Sequence, residues 1–332
     1  MHDLGKGRIL VTGGAGFIGS ALVNHLNGLG HTNILVTDFL GSDDKFKNLV
    51  PLKYDDYMEG DDFKARLEAN PEKFADIKTV FHLGACSATT EKDARYLVHN
   101  NYEYTKWLAE WSLANGVRFV YASSAATYGD GAHGMDDKLA ELHRLRPLNM
   151  YGYSKHFFDV HAQRRGYLDK IVGLKFFNVY GPNENHKGGM VSMVYRAFHQ
   201  IRDEGAVKLF KSDRPEYRDG EQMRDFVYVK DAVAMAVFLA QNTKAGGLYN
   251  IGSGKARTWL DLMRAIFKAL GKPENIEFIA MPEQLKAKYQ YFTEADITKV
   301  REAGYTAELT PLEDAVADYV KNHLVTGKHL GE

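Results

Sequence analysis

Cysteine is nearly absent: one residue in 332, Cys86. A single thiol excludes an internal disulfide framework and any multi-thiolate metal site, and it suits a reducing compartment, so a cytoplasmic location and no bound metal are expected. Long apolar runs are missing as well. The longest, Ala232 to Ala240, is half of the roughly 18 to 20 residues that a bilayer demands, so no membrane partner is expected. Met1 to Gly7 carries charges but no apolar segment, and strand-like Arg8-Ile9-Leu10-Val11 follows at once, so no signal peptide can be read there. An excess of charge of one sign is also lacking, with 42 basic residues against 43 acidic ones and a net charge of −1. This is not the basic footprint that neutralises a phosphate backbone, and nucleic acid is not an expected partner. Proline is scarce, 8 residues against 31 glycines, in a chain 45% hydrophobic and 26% charged. That balance belongs to an ordinary globular enzyme rather than to a disordered or fibrous chain.

What is present is an alternation of short β-branched runs with longer helical patterns. The runs are Ile9-Leu10-Val11, Ile34-Leu35-Val36, Val80-Phe81-His82-Leu83, Phe119-Val120-Tyr121 and Ile171-Val172-Gly173-Leu174. Between them Gly19 to Leu29, Glu91 to Asn115 and Tyr151 to Arg165 carry apolar residues at helical spacing. The pattern predicts an α/β fold with a doubly wound parallel Rossmann sheet. The polar stretch Lys211 to Met223 reads as a loop, and a later helix, Asp231 to Asn242, with a strand, Leu248 to Gly252, reads as a return to the sheet. The expected organisation is therefore a dinucleotide-binding domain over residues 1–180, rejoined by 225–252. A smaller, discontinuous α/β substrate domain would hold 181–224 and 253–332.

The first run leads directly into Thr12-Gly13-Gly14-Ala15-Gly16-Phe17-Ile18-Gly19. Gly13, Gly16 and Gly19 are spaced for a tight turn, for backbone approach to a pyrophosphate and for close helix-to-strand packing, while the helix N-terminus favours negative charge. Asp38 ends the second run 19 residues after Gly19, where its carboxylate can accept hydrogen bonds from a ribose. An aspartate there selects NAD, but Lys45 seven residues on could offset a 2′-phosphate. Spacing alone leaves NAD and NADP both open. Cys86, in Gly84-Ala85-Cys86-Ser87, reads as packing beside the cofactor rather than as a reactive thiol.

Ser123 and Ser124 end the strand that begins at Phe119, and Tyr151-Gly152-Tyr153-Ser154-Lys155 opens a helix 27 residues beyond Ser124. Positions i and i+4 share a helix face, so Tyr151 and Lys155 can point into one cleft, which favours Tyr151 over Tyr153 as an acid/base. A phenol titrating near 10 is a poor base at neutral pH; a neighbouring ammonium and an oxidised nicotinamide are expected to bring it into range. Ser124 would orient the sugar oxygen.

In these residues the chain resembles the extended short-chain dehydrogenase/reductases, and more closely the ADP-heptose 6-epimerase family. The likeness runs from Arg8 to the C-terminal helix. Its narrower motifs are Phe81 to Ser87, Tyr121 to Gly129, Pro147 to Lys155, Phe176 to Pro182, His186-Lys187-Gly188 and Arg224 to Val229. The resemblance implies Tyr151 and Lys187 as two acid/bases, with Ser124 and Lys155 as supports. It implies Phe17, Ile18, Asp38, Phe39, Lys45, Leu83, Gly84, Ala85, Cys86, Ser87, Asn100 and Val179 at the cofactor. Asn178, Gly189, Arg196, the segment Phe210, Lys211, Ser212 and Asp213, then Arg224 and Tyr289 would meet the substrate. Departures are Leu83 for a glutamate, Gly60 for a lysine near the adenosine, Gly189 for a serine and Arg196 for a histidine. Judged without the resemblance, Lys187 reads as a solvated loop charge.

The implied reaction inverts C-6 of an ADP-heptose, a precursor of the lipopolysaccharide inner core, through transient oxidation to a 6-ketone and hydride return. NADP is the expected cofactor, with NAD possible, and a homopentamer is implied. Rival readings are a UDP-hexose 4-epimerase, a 4,6-dehydratase and a non-catalytic nucleotide-sugar or NADP(H)-binding protein. The dehydratase is disfavoured because its Asp-Glu pair is Ala125-Ala126 here, and the idle protein because the catalytic residues are all present.

Overall fold

The computed structural model describes residues 1–286 and 289–332. Its strands are β1 (Arg8–Thr12), β2 (Ile34–Asp38), β3 (Asp56–Glu59), β4 (Ile77–His82), β5 (Arg118–Ser124), β6 (Val172–Phe176), β7 (Asn178–Tyr180), β8 (Val207–Phe210), β9 (Met223–Tyr228), β10 (Gly247–Ile251), β11 (Ala256–Thr258) and β12 (Ile276–Ile279). Seven of them form one sheet in the order β10-β6-β5-β4-β1-β2-β3, and every neighbouring pair is parallel. Such a sheet is buried on both faces, which is why its strands read as continuous apolar runs instead of alternating ones. Leu10, Val11, Leu35, Val36, Phe119 and Val120 are all inaccessible to solvent.

The predicted Rossmann-type sheet is thus present, and the helices follow the periodic segments: Phe17–Gly28, Met150–Arg164 and Val229–Gln241. The segment read as one helix over 91–115 is interrupted. Ala94–Leu97 and Tyr104–Ala114 flank a π-helical turn, Val98–Glu103, a wide turn that apolar periodicity cannot reveal and that often accompanies a functional site.

The chain returns to the main sheet with one strand. Only Gly247–Ile251 rejoins it, beside β6, whereas β7, β9 and β11 form a separate three-stranded sheet and β8 pairs with β12. β6 and β7 are separated by Phe177 alone. Strand order reverses between β1 and its neighbours β2 and β4, and at this point Thr12 stands level with both Thr37 and His82. The crevice at these carboxyl ends is where a doubly wound sheet accepts a ligand. Among the described residues no helix is long and apolar enough to cross a membrane.

Candidate active site

The floor of the crevice is the glycine-rich turn. Gly13 has φ +67°, and a Cβ there would lie 2.6 Å from the Gly84 Cα, so both conformation and contact exclude a side chain. The turn is tied down by Gly13 N–H donating to the Thr37 carbonyl at 2.7 Å and by Ala15 and Gly16 N–H donating to the Asp38 carboxylate at 2.9 and 3.1 Å. Helix Phe17–Gly28 then starts at Gly16 with no side-chain cap. Its first turn lines a cleft of about 330 Å³, leaving uncapped N–H groups and the positive end of the helix dipole for an anion, which fits the pyrophosphate of a dinucleotide.

Asp38 also accepts from Phe39 N–H at 2.7 Å and from Lys45 Nζ at 3.2 Å. Its carboxylate is therefore satisfied and neutralised rather than bare. Phe39, Cys86 and Asn100 border an adjoining space that also reaches Gly84 and Ala85. The Phe39 ring covers Gly60, the position of the missing lysine. Cys86 is held by its backbone: Asn101 accepts from its N–H and donates to its carbonyl, both at 2.9 Å. The neighbouring Asn100 is only half buried, whereas Asn101 is 1% exposed. Asn101 also donates to Ser154 Oγ at 3.0 Å and so joins the cofactor wall to the catalytic helix. Sequence reading singled out Asn100 and missed it.

Opposite lie Ser124, Tyr151 and Lys155, which line the same cleft as Leu83, Ser87, Val179 and Lys187. Local sequence builds this wall. Asn149 caps helix Met150–Arg164 by accepting from Gly152 N–H at 2.8 Å, a bond worth about 1 kcal/mol. A Cβ on Gly152 would meet the Ala126 carbonyl at 2.8 Å, so glycine lets the helix start rest on the turn after β5. Tyr151 thereby faces the cleft together with Ser124. Tyr153 turns away, 45% exposed and stacked on Phe157.

The electrostatics differ in one respect from expectation. Burial raises the Tyr151 phenol above its ordinary value, the Ser124 hydroxyl opposes this, and Lys155 contributes no resolved lowering. Burial pushes the Lys155 amine down to about 8, against the attraction of Asp159. Within the protein alone desolvation outweighs charge.

Lys187 is not a solvated loop residue. It is half-buried in the cleft wall, its Nζ 5.0 Å from the centre of the Phe17 ring. Burial lowers its pKa while Glu184 raises it. Glu184, fully buried, accepts from Ser192 Oγ at 2.6 Å and Tyr319 Oη at 3.0 Å.

A buried ion pair lies behind the catalytic helix. Asp159, one turn beyond Lys155, accepts from Tyr121 Oη at 2.8 Å, Ser123 Oγ at 2.7 Å and Lys175 Nζ at 3.1 Å. Both side chains of the pair are 0% exposed. Nothing in the local sequence marks Asp159 or Lys175; only the pairing of β5 with β6 puts Lys175 level with Ser123.

The residues expected to meet substrate divide into groups. Asn178 is exposed at the start of β7, next to the cleft-lining Phe177 and Val179. Gly189 and Arg196 are exposed, and the Arg196 guanidinium donates to the Gly189 carbonyl. Phe210 ends β8, Lys211 N–H donates to Ile279 at 2.8 Å, Ser212 N–H to Asp219 at 2.7 Å, and Asp213 N–H to Tyr291 Oη at 3.0 Å. Arg224, 6% exposed, lies over the rings of Tyr289 and Trp259, at 5.3 and 5.7 Å from their centres. It donates to the carbonyls of Met223 and Gln290, but among the described residues no carboxylate forms a salt bridge with it. A buried guanidinium without a counter-charge suits a phosphate. The Gln290 side chain donates to the Gly129 carbonyl at 2.5 Å and links this cluster to the turn after Ser124.

Residues 9–252 match the family described as "NAD dependent epimerase/dehydratase family". The chain is 52% identical over 315 residues to the ADP-L-glycero-D-manno-heptose-6-epimerase of Nitratidesulfovibrio vulgaris strain DP4, covering 95% of this chain and 97% of the relative. It is 49% identical over 325 residues to the enzyme of that name from Fusobacterium nucleatum, with coverages of 95% and 98%. Among solved structures, the Helicobacter pylori ADP-L-glycero-D-manno-heptose-6-epimerase superposes with a TM-score of 0.79 at 29% identity, over 97% and 98% of the two chains. A UDP-glucuronic acid 4-epimerase from Bacillus cereus, solved with UDP-glucuronic acid and NAD, gives 0.75 at 26% identity over 95% and 99%. With the family match spanning most of its length and a relative 52% identical over nearly all of both chains, this chain belongs to the NAD dependent epimerase/dehydratase family.

Proposed function

We propose that the chain converts ADP-D-glycero-D-manno-heptose to ADP-L-glycero-D-manno-heptose by inversion at C-6, as a cytoplasmic homo-oligomer supplying the lipopolysaccharide inner core. The observation that carries the reading is the presence of two desolvated proton carriers, Tyr151 and Lys187, in one cleft with the uncapped helix start. A bound nicotinamide cofactor supplies the acceptor and donor for the hydrogen on the sugar carbon. Tyr151 Oη, beside Ser124 in the cleft and held as a phenolate by the Lys155 ammonium, takes the proton of the sugar hydroxyl in one epimer and becomes the phenol. C-6 lies outside the ring, so rotation of the exocyclic group brings its oxygen to Lys187 Nζ, which returns a proton on the other side. Arg224, paired with aromatic faces instead of a carboxylate, holds the diphosphate. The test is NMR of products from a panel of nucleotide sugars. ADP-heptose should be epimerised; turnover of UDP-galactose with none of ADP-heptose would assign the site to a ring 4-epimerase.

The cofactor of this reading is NADP. Support comes from the ion pair of Lys45 with Asp38, whose side chains are 16% and 11% exposed: the aspartate is neutralised and the lysine is placed at the ribose end of the site. Lys45→Ala should raise the dissociation constant for NADP far more than that for NAD. Equal losses, read by calorimetry, remove Lys45 from the 2′-phosphate position.

Lys155 sets a pH limit. Its ammonium form supports the Tyr151 phenolate, and with the amine pushed down to about 8 this support is present below that pH and lost above it. The kcat/KM of epimerisation should therefore decline as pH rises through about 8, because this ratio reports the free enzyme. A flat profile to pH 9.5 would show that Lys155 is not titrating there.

A further inference from the structure

Lys187 sits on a loop that begins at Asn183, and Asn183 has φ +75°, the one non-glycine residue with positive φ among those described. Asparagine tolerates that conformation better than most residues, but a loop held in it needs support from outside. The support is a set of hydrogen bonds to parts of the chain remote in sequence. Asn183 Nδ2 donates to Ser20 Oγ at 3.0 Å, within the helix that opens the cofactor site. Its Oδ1 accepts from Leu330 N–H at 2.9 Å, and its own carbonyl accepts from Asn48 Nδ2 at 3.0 Å.

Asn48 extends the network in both directions. The same amide donates to the carbonyl of Ala15 in the glycine-rich turn at 2.9 Å and lies 3.3 Å from His186 Nδ1, next to Lys187. Its Oδ1 is 2.9 Å from His329 Nδ1. Asn48 and Asn183 are each 1% exposed, and Leu330, 4% exposed, is part of the main apolar core. Two buried amides thus clamp together the glycine-rich turn, the Lys187 loop and residues 329–330. Each amide uses both its donor and its acceptor ends, which neither aspartate nor an apolar residue can reproduce.

We propose that Asn183 and Asn48, backed by His329 and Leu330, are positioning residues that hold Lys187 at its working distance across the cleft from Tyr151. This rests on Lys187 being the second acid/base. In consequence a segment with no contact to the reacting atoms governs one half of the proton transfer, and it does so from the same turn that cradles the cofactor.

The test is a double-mutant cycle in the full-length protein. Asn183→Gly keeps the positive φ while removing both side-chain bonds, and Ser20→Ala is a milder second variant that removes one. Misplacement by about 1 Å can cost on the order of 10²-fold in rate, so Asn183→Gly should lower kcat for epimerisation by about 10- to 100-fold, with KM and cofactor affinity held within about threefold. Ser20→Ala should lower it severalfold in the same way. In a Lys187→Met background, read by the dismutation of an aldehyde analogue of the sugar that Tyr151 still supports, neither change should reduce the residual rate further, since coupled residues are not additive. Full additivity with Lys187→Met, or an Asn183→Gly enzyme within threefold of wild type, overturns the positioning role. A Lys187→Met enzyme that itself retains wild-type activity instead removes the reading of Lys187 as acid/base, so the two failures are separable.

Discussion

Tyr151→Phe and Lys187→Met should each abolish net epimerisation while leaving cofactor affinity intact. Inversion needs a proton removed at one oxygen position and returned at another, so loss of either carrier halts the cycle even when the other is sound. A general acid/base contributes about 10²- to 10⁴-fold, whereas removal of a surface charge changes little, so the two interpretations of Lys187 differ by orders of magnitude in rate. Half-buried in the cleft wall against the Phe17 ring, it should fall in the first class. An aldehyde analogue of the sugar, offered for dismutation, separates the roles. Each single variant should retain part of the redox activity through the remaining group, and the double variant should lose it. A Lys187→Met enzyme that epimerises within about threefold of wild type would leave Tyr151 serving both faces, as in the rival ring 4-epimerase.

Lys175→Met should be the most destabilising single change near the site. It leaves the Asp159 carboxylate fully buried with two neutral donors, Tyr121 and Ser123, and no ion-pair partner in contact, only the longer-range attraction of Lys155. Breaking a buried pair from one side costs about 3–5 kcal/mol, while replacing both partners by apolar groups of similar size can be neutral. The expected result in urea is a lower midpoint with an unchanged slope, and recovery of most of the loss in a Lys175→Met, Asp159→Leu double variant. A loss below about 1 kcal/mol from Lys175→Met would show that the two hydroxyl donors alone satisfy Asp159.

These two experiments probe groups that differ in how visible they are in the sequence. The glycine-rich turn, Asp38, Ser124 and the Tyr151/Lys155 pair are legible because each depends on local geometry: a strand end, a helix start, a repeat of four along one helix face. The parallel sheet is legible for a similar reason, since burial on both faces imposes continuous apolar runs. Asp159 and Lys175 are not legible. Each is an ordinary polar residue until strand pairing seals it from water, and Asn101 differs from Asn100 only in the direction the π-helical turn gives its side chain. Asn48 and His329 are 281 residues apart, a distance over which no spacing rule operates. Burial, likewise, is what moves the Tyr151 phenol upward, and desolvation is a property of the folded surroundings that a motif does not encode.

The passage from β6 to β7 through Phe177 alone bears on how the molecule moves during turnover. Phe177 N–H is bonded to the Ile251 carbonyl at 3.0 Å, while β7 is paired with β9 immediately afterwards. This crossing between the two sheets therefore has no slack: its backbone hydrogen-bonding positions are occupied on both sides of a single residue. A hinge requires a few residues free to change φ and ψ, and this crossing offers none. The stiffness favours an economical division of labour, in which the walls of the cleft keep their spacing through the cycle and the swing of roughly half a turn is made by the exocyclic carbon of the substrate.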